Sequence, residues 1–162
     1  MPVSTIKRLQ FKTFLNTGTS VSPVWSLIGD GVTSAKISYN PKTSELIYIH
    51  QATGTTEIES YRPTLPIEAV ARQGDLAFNF IDNLRVGRAV FDSAYAEIVN
   101  VWLYETPAGS VYPAERQSVS IQVEDFGGDG GTAVRINYTI NYIGDPIVGT
   151  FNPTTLAFTA NP

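Results

Sequence analysis

SVSIQVEDFGGDGGTAVRINYTINYI, residues 118–143, decides how the rest of this chain is read. Val119, Ile121 and Val123 alternate with Ser118, Ser120, Gln122 and Glu124. Beyond the glycine cluster, Val134, Ile136, Tyr138, Ile140 and Tyr142 alternate with Arg135, Asn137, Thr139 and Asn141. Successive side chains of a strand point to opposite faces, so this alternation predicts a β-hairpin with one apolar and one polar face. The polar face is mostly hydroxyl and amide, whereas an ordinary solvated sheet carries more Lys and Glu. Such a surface suits lying beside another large molecule without gripping it; a plain solvent face is the competing explanation.

The flanking sequence is also strand-like. Residues 6–15 place Leu9, Phe11, Thr13 and Leu15 opposite Arg8, Gln10 and Lys12, and the loop NTGTSVSP leads to Trp25, Leu27 and Ile28. Ala35, Ile37 and Tyr39 alternate with Ser34, Lys36 and Ser38 before Asn40-Pro41 breaks the strand. ELIYIH (45–50) and TTEIESY (55–61) flank QATG as a second hairpin, and RPTLPIEAVARQGD comes next as an extended connection. Residues 40–70 are therefore expected to project from the body, with enough apolar content to argue against disorder. Leu76–Asp82 is expected to be a strand. Asp82-Asn83 is expected to cap one short helix over 83–94, with Gly87 weakening it. EIVNVWLYE (97–105) is β-prone, and Tyr39, Trp102, Tyr138 and Tyr142 are assigned to the core. The sum is one domain, 1–162, with an N-terminal strand and loop (1–20) and a packed tail (144–162). It is mainly β: an antiparallel sandwich or flattened barrel with one flanking helix.

Bulk properties narrow the function. A chain of 162 residues can bury a core, and charged residues at 16% leave little repulsion between copies. Residues 1–45 hold five bases (Lys7, Arg8, Lys12, Lys36, Lys42) against Asp30 and Glu45, while the remainder holds six bases against thirteen acids. A basic N-terminal part and an acidic body could pair between copies. The net charge of −4 argues against ordinary phosphate-backbone binding, which needs clustered Lys and Arg. Cysteine is absent, and no apolar run approaches the ~20 residues of a membrane span. MPVSTIKRLQFK lacks a signal-peptide core, so synthesis is expected to be intracellular and the Asn137-Tyr138-Thr139 sequon carries no weight.

Chemistry has little to stand on. His50 is the single histidine and lies near a hairpin tip, so zinc sites and His-assisted nucleophiles are not expected. Glu124, Asp125 and Asp129 lack the spacing of a calcium loop and serve the turn. The glycine cluster precedes a strand, so it is no phosphate loop. Arg85 and Arg88 are placed on one side of the expected helix, with Glu97 or Glu105 of the same or a neighbouring copy as partners. No catalytic residue, cofactor or metal is expected.

ISYNPKTSE, YIHQATGTTEIESYRPTLPIEAVARQGD, FIDNLRVGRAV, AEIVNVWLYE and NYTINYIGDPIVGTFNP, in that order, resemble the major tail tube proteins of long-tailed bacteriophages and prophages of Gram-positive hosts. The resemblance spans roughly 35–155 and implies a structural virion protein rather than an enzyme. Proteins of this family form a β-sandwich with a flanking helix at the subunit interface. They assemble as six-membered rings stacked around the tape measure protein into a tube through which DNA passes. The implied partners are other copies, the tape measure protein, the tail terminator and baseplate or tail-tip proteins, with no membrane. Assembly would take place in the host cytoplasm. The candidate lumenal face is Ser118, Ser120, Gln122, Glu124, Asn137, Thr139 and Asn141, a choice resting on the alternation; Arg135 interrupts it. Candidate inter-subunit or inter-ring residues are Tyr48, His50, Thr55, Glu57, Glu59, Tyr61, Arg62, Arg85 and Arg88. Alternatives are another tail protein of the same fold (contractile-tail tube, terminator or baseplate hub) or a carbohydrate-binding adhesion sandwich.

Overall fold

The computed structural model describes residues 2–162. Its centre is the hairpin of β8 (Tyr112–Gly127) and β9 (Arg135–Asn152), paired antiparallel almost end to end. Two irregularities break the register, between Arg116 and Ser118 and between Val123 and Asp125. Each bends the ribbon and raises its twist. Gln117 fills the first: its buried amide donates to the carbonyls of Ile143 and Gly144.

The other strands build outward on this hairpin. β7 (Tyr95–Trp102), β1 (Phe11–Asn16) and β2 (Trp25–Leu27) continue the sheet on the β8 side; β6 (Thr64–Val70) and β3 (Val32–Ala35) continue it on the β9 side. β10 (Ala157–Ala160) pairs with the far end of β9. β2 and β3 lie at opposite ends of this order yet are joined by residues 28–31. A sheet whose two outer strands are neighbours in the chain must curl back on itself, and the result is a half-barrel. Arg8 spans the remaining seam, its guanidinium donating to the carbonyls of Phe11 and Ala35.

Alternation gives the sheet a core on each face. Leu15, Ile98, Val119, Ile121, Ile136, Tyr138, Ile140, Leu65 and Ile67 share one face and pack against Ala77 and Ile81 of the helix. Phe14, Trp25, Val99, Val101, Ala114 and Phe151 occupy one end of the other face. A polar knot lies in the first face. The Thr13 hydroxyl donates to Asn100 (2.8 Å), whose amide nitrogen donates to the Tyr142 hydroxyl (2.8 Å) and to Glu115 (3.3 Å).

Three expectations need correcting. The segment Leu76–Gly87 is the α-helix, α1, so 76–82 is helical and the helix does not run over 83–94. Its cap is Asp75, whose carboxylate accepts from the Phe78 N–H at 2.9 Å. The Leu76, Phe78, Phe80 alternation mimics a strand, but Ala77, Phe78, Ile81 and Leu84 carry the helical period that packs on the sheet. The helix stops at Gly87, and Arg88 takes the left-handed conformation after it (φ 46°). Second, residues 64–70 do not project. Leu65, Ile67 and Ala69 are buried as β6, and the prolines at 63 and 66 fall where the strand starts and on its exposed face. Third, Tyr39 is exposed and Trp102 half-buried, so of the four aromatics assigned to the core only Tyr138 is fully buried.

Two measurements check this packing. A Cβ at Gly149 would strike the Thr159 carbonyl and the Phe158 ring, whereas Gly130 faces open space. Gly149→Ala should therefore lower the urea midpoint by the equivalent of ~1–3 kcal/mol, and Gly130→Ala should leave it in place. Burial raises the phenol pKa of Tyr138 and Tyr142, with Asn100 opposing the shift at Tyr142. The folded chain then holds these protons more tightly than the unfolded chain, so their contribution to stability is constant below the free phenol pKa of ~10 and falls as pH rises above it. Urea midpoints between pH 8 and 11 should show that decline, and Tyr142→Phe should lessen it, leaving the part due to Tyr138.

Candidate functional site

Two surfaces remain once the cores are assigned. The first is the polar face of the central hairpin. Ser120 lies opposite Asn141 and Gln122 opposite Thr139, on the face away from the helix. The second register irregularity re-aims the residues at the end of β8. Glu124 sits in the bulge and still reaches this face, accepting from the Thr139 hydroxyl at 2.8 Å. Asp125, which strict alternation sends to the apolar side, pairs with Asn137 and accepts from its amide at 2.8 Å. β6 extends the face with Thr64, Pro66 and Glu68, opposite Asn141, Thr139 and Asn137. β7 adds Tyr95 and Glu97, opposite Ser120 and Ser118.

The structure thus brings all seven residues expected on the polar face to one continuous surface, and it adds Glu68, Asp125 and Glu97. Arg135 lies at its margin and donates to the Thr33 hydroxyl at 3.0 Å. Arg116 is neutralised by Glu97 at 3.3 Å. The surplus charge is acidic, from Glu68, Glu124 and Asp125. The face carries no cluster of cations with which to grip a polyanion.

The second surface is a separate hairpin, β4 (Lys42–Leu46) and β5 (Thr55–Ser60), whose strands pair only with each other. A two-stranded ribbon standing alone is marginal in water. This one also exposes Leu46, Ile47, Tyr48, Ile49 and Ile58, with Tyr39 and Tyr61 at its root. Local contacts hold its shape: Tyr48 stacks on His50 (centroids 6.2 Å apart) and its hydroxyl donates to Glu57 (3.3 Å). Thr55 bonds Gln51, Lys42 pairs with Glu59 at 2.6 Å, and Tyr61 meets Tyr39 edge-on. The backbone of Arg62 closes the root, its N–H donating to the Tyr39 carbonyl and its own carbonyl accepting from Asn40. Leu46, Tyr48, Glu57, Glu59 and Tyr61 share one face of the ribbon, an apolar surface set with carboxylates.

Arg85 and Arg88 do not form the pair expected of them. Arg85, in the last helical turn, is held by Asp82 at 2.7 Å and lies 3.9 Å over the Phe126 ring. Arg88 has left the helix. Neither meets Glu97, which belongs to Arg116. Among the described residues no group of three or more acidic or histidine side chains converges on a metal-sized site. Among those residues, too, no helix is long and apolar enough to cross a membrane.

The fold has solved counterparts. No family model and no curated protein matches the chain. It superposes on a chain from the tail of an empty GTA particle, determined by helical refinement with C6 symmetry. The TM-score is 0.65 at 13% identity, over 96% of this chain and 100% of that one. It also superposes on a chain of the six-fold symmetrised anti-feeding prophage baseplate, with a TM-score of 0.51 at 10% identity, over 91% and 97%. The chain shares the fold of these tail and baseplate components.

The separateness of the outer hairpin can be tested. Replacing residues 43–60 with a short Gly-Ser turn should leave a cooperatively folding domain whose stability changes by less than ~1 kcal/mol, measured by thermal unfolding. A large loss of stability would mean that the ribbon braces the body.

Proposed function

We propose that this chain is a structural subunit of a phage tail that polymerises as stacked hexameric rings into a hollow tube conducting DNA. The carrying observation is the fold shared over nearly the whole of both chains with a component of a C6-symmetric tail. A subunit that repeats six-fold needs surfaces that are costly to leave in water, and the outer hairpin is one. A conduit also needs a wall that does not bind what it carries. The face formed by Ser118, Ser120, Gln122, Glu124, Asn137, Thr139 and Asn141 is our lumenal wall. Its neighbouring cations Arg116 and Arg135 are engaged and its surplus charge is acidic, so DNA phosphates meet mild repulsion rather than an attractive patch.

On this reading the outer hairpin carries the inter-subunit or inter-ring contact through Tyr48, His50, Thr55, Glu57, Glu59, Tyr61 and Arg62. The tape measure protein would occupy the tube before ejection, and terminator and baseplate proteins would close its ends. The protein would reside in the virion tail after assembly in the host cytoplasm. A second reading, a baseplate component of the same fold, is favoured by the anti-feeding prophage match.

Negative-stain microscopy of concentrated protein separates the two: long tubes with a central hole support the tube subunit, and isolated rings support the baseplate component. Monomers that bind cell-wall glycan would replace both with an adhesion module. Ser118→Lys combined with Gln122→Lys places cations at two exposed positions without removing a side-chain hydrogen bond. Tubes should still form, and DNA release from particles should slow severalfold. Unchanged release would put the lumen on another face.

A further inference from the structure

The seam between β1 and β3 is a groove, and its chemistry specifies an occupant. A cleft of about 540 Å³ runs between Arg8–Thr13 and Val32–Ala35. It continues, through Arg8, Phe11 and Ala35, into a second cleft of about 290 Å³ that reaches Trp102 and Tyr104. The floor is apolar and aromatic, with Phe11, Trp102 and Tyr104 along it, and the rim carries Arg8, Lys12 and Lys36. Among the described residues no carboxylate lines either cleft. Lys12 and Lys36 form no ion pair there, and Arg8 is committed to the backbone carbonyls of Phe11 and Ala35. Uncompensated cations above an aromatic floor call for a ligand that is acidic and apolar together.

The outer hairpin is that ligand in complement: Glu57 and Glu59 stand among Leu46, Tyr48 and Tyr61 on one face of an exposed ribbon. The Lys42 partner of Glu59 is itself exposed, so that pair is weak and leaves the carboxylate able to meet a second cation. In its own chain the ribbon's strands pair only with each other, and its root borders the far end of the seam through Tyr39. We infer that the groove between β1 and β3 receives the acidic face of the β4–β5 hairpin of a second copy, with Glu57 and Glu59 facing Lys12 and Lys36. The contact joins two different patches, so it propagates from copy to copy rather than stopping at a dimer. Arg8 already occupies two carbonyls across the seam, so recognition runs through side chains and not through an added strand. The inference rests on the assembling subunit proposed above and names the receptor for its hairpin.

The absence of cysteine supplies the test. Two single-cysteine chains, Lys36→Cys and Glu57→Cys, are mixed and oxidised under assembly conditions. A disulfide heterodimer, well above either homodimer, is expected. In parallel, Lys12→Glu/Lys36→Glu and Glu57→Lys/Glu59→Lys should each raise the concentration needed for assembly at least tenfold while keeping the circular dichroism of the parent. Combining all four changes in one chain should restore most of it. Tubes that form without the heterodimer, and that tolerate both charge reversals, would overturn this contact and leave the tail reading standing. A parent chain that does not assemble, together with cysteine variants that do not cross-link, would overturn both.

Discussion

The pairing of β8 with β9 is the constraint on which the architecture depends. These strands are 16 and 18 residues long, well beyond the usual length, and a ribbon so long cannot stay flat. The irregularities at Gln117 and Glu124 set where it bends. At one end the ribbon contributes Ala114 and Phe151 to the smaller core; at the other it turns Val119, Ile121, Ile136, Tyr138 and Ile140 toward α1. One sheet thereby supports two cores, and the region beside the smaller core on the outer face is left polar. A one-residue slip between these strands would exchange buried and exposed side chains on the whole second half of the hairpin. The Gln117 amide, bonded to two carbonyls of β9, is placed to resist it.

How much of the fold is legible in the sequence tracks how local the governing interaction is. The central hairpin is legible because turn glycines and period-two alternation sit side by side in residues 118–143. The pairing of Ser120 with Asn141 and Gln122 with Thr139 belongs to that same local pattern. The helix is not, because Leu76, Phe78 and Phe80 satisfy both a strand and a helix period, and the deciding contacts, Ala77 and Ile81 against the sheet, are long-range. β6 hides as a sheet strand because Pro63 just before it and Pro66 within it suggest an extended connection. Glu68, Asp125 and Glu97 escape the polar face for related reasons. Glu68 and Glu97 arrive on other strands, and Asp125 changes sides only because of the bulge. The Gly-rich turn beside Asp125 is the available signal, since a glycine in a strand often marks a bulge.

Electrostatics on the outer face is arranged for weakness. Arg116 is held by Glu97, Arg135 is turned to Thr33, and the carboxylates of Glu124 and Asp125 each accept a neighbour's hydrogen bond. The field that remains is short-ranged, screened within ~8 Å at physiological salt. If this face lines the tube proposed above, a polyanion at its centre would be nearly unperturbed and one that drifts against the wall would be deflected.

The free edges of the sheet point the same way. Between the segment of β9 covered by β6 and the segment covered by β10, residues 143–147 have an open edge, occupied by Gly144 at φ 67° and by Pro146, which has no N–H to offer. At the seam, Arg8 takes up the carbonyls of Phe11 and Ala35. Both devices block the indiscriminate strand addition that turns an exposed edge into an aggregation site. Two surfaces are left unguarded: the outer hairpin, whose apolar side chains lie uncovered among carboxylates, and the basic, aromatic seam. With the sheet's edges blocked and these two side-chain surfaces exposed, association between copies as inferred above would be directional. Side-chain recognition also fixes the angle between neighbours more tightly than a sliding strand edge, and a fixed angle is what allows a repeating contact to close into a ring.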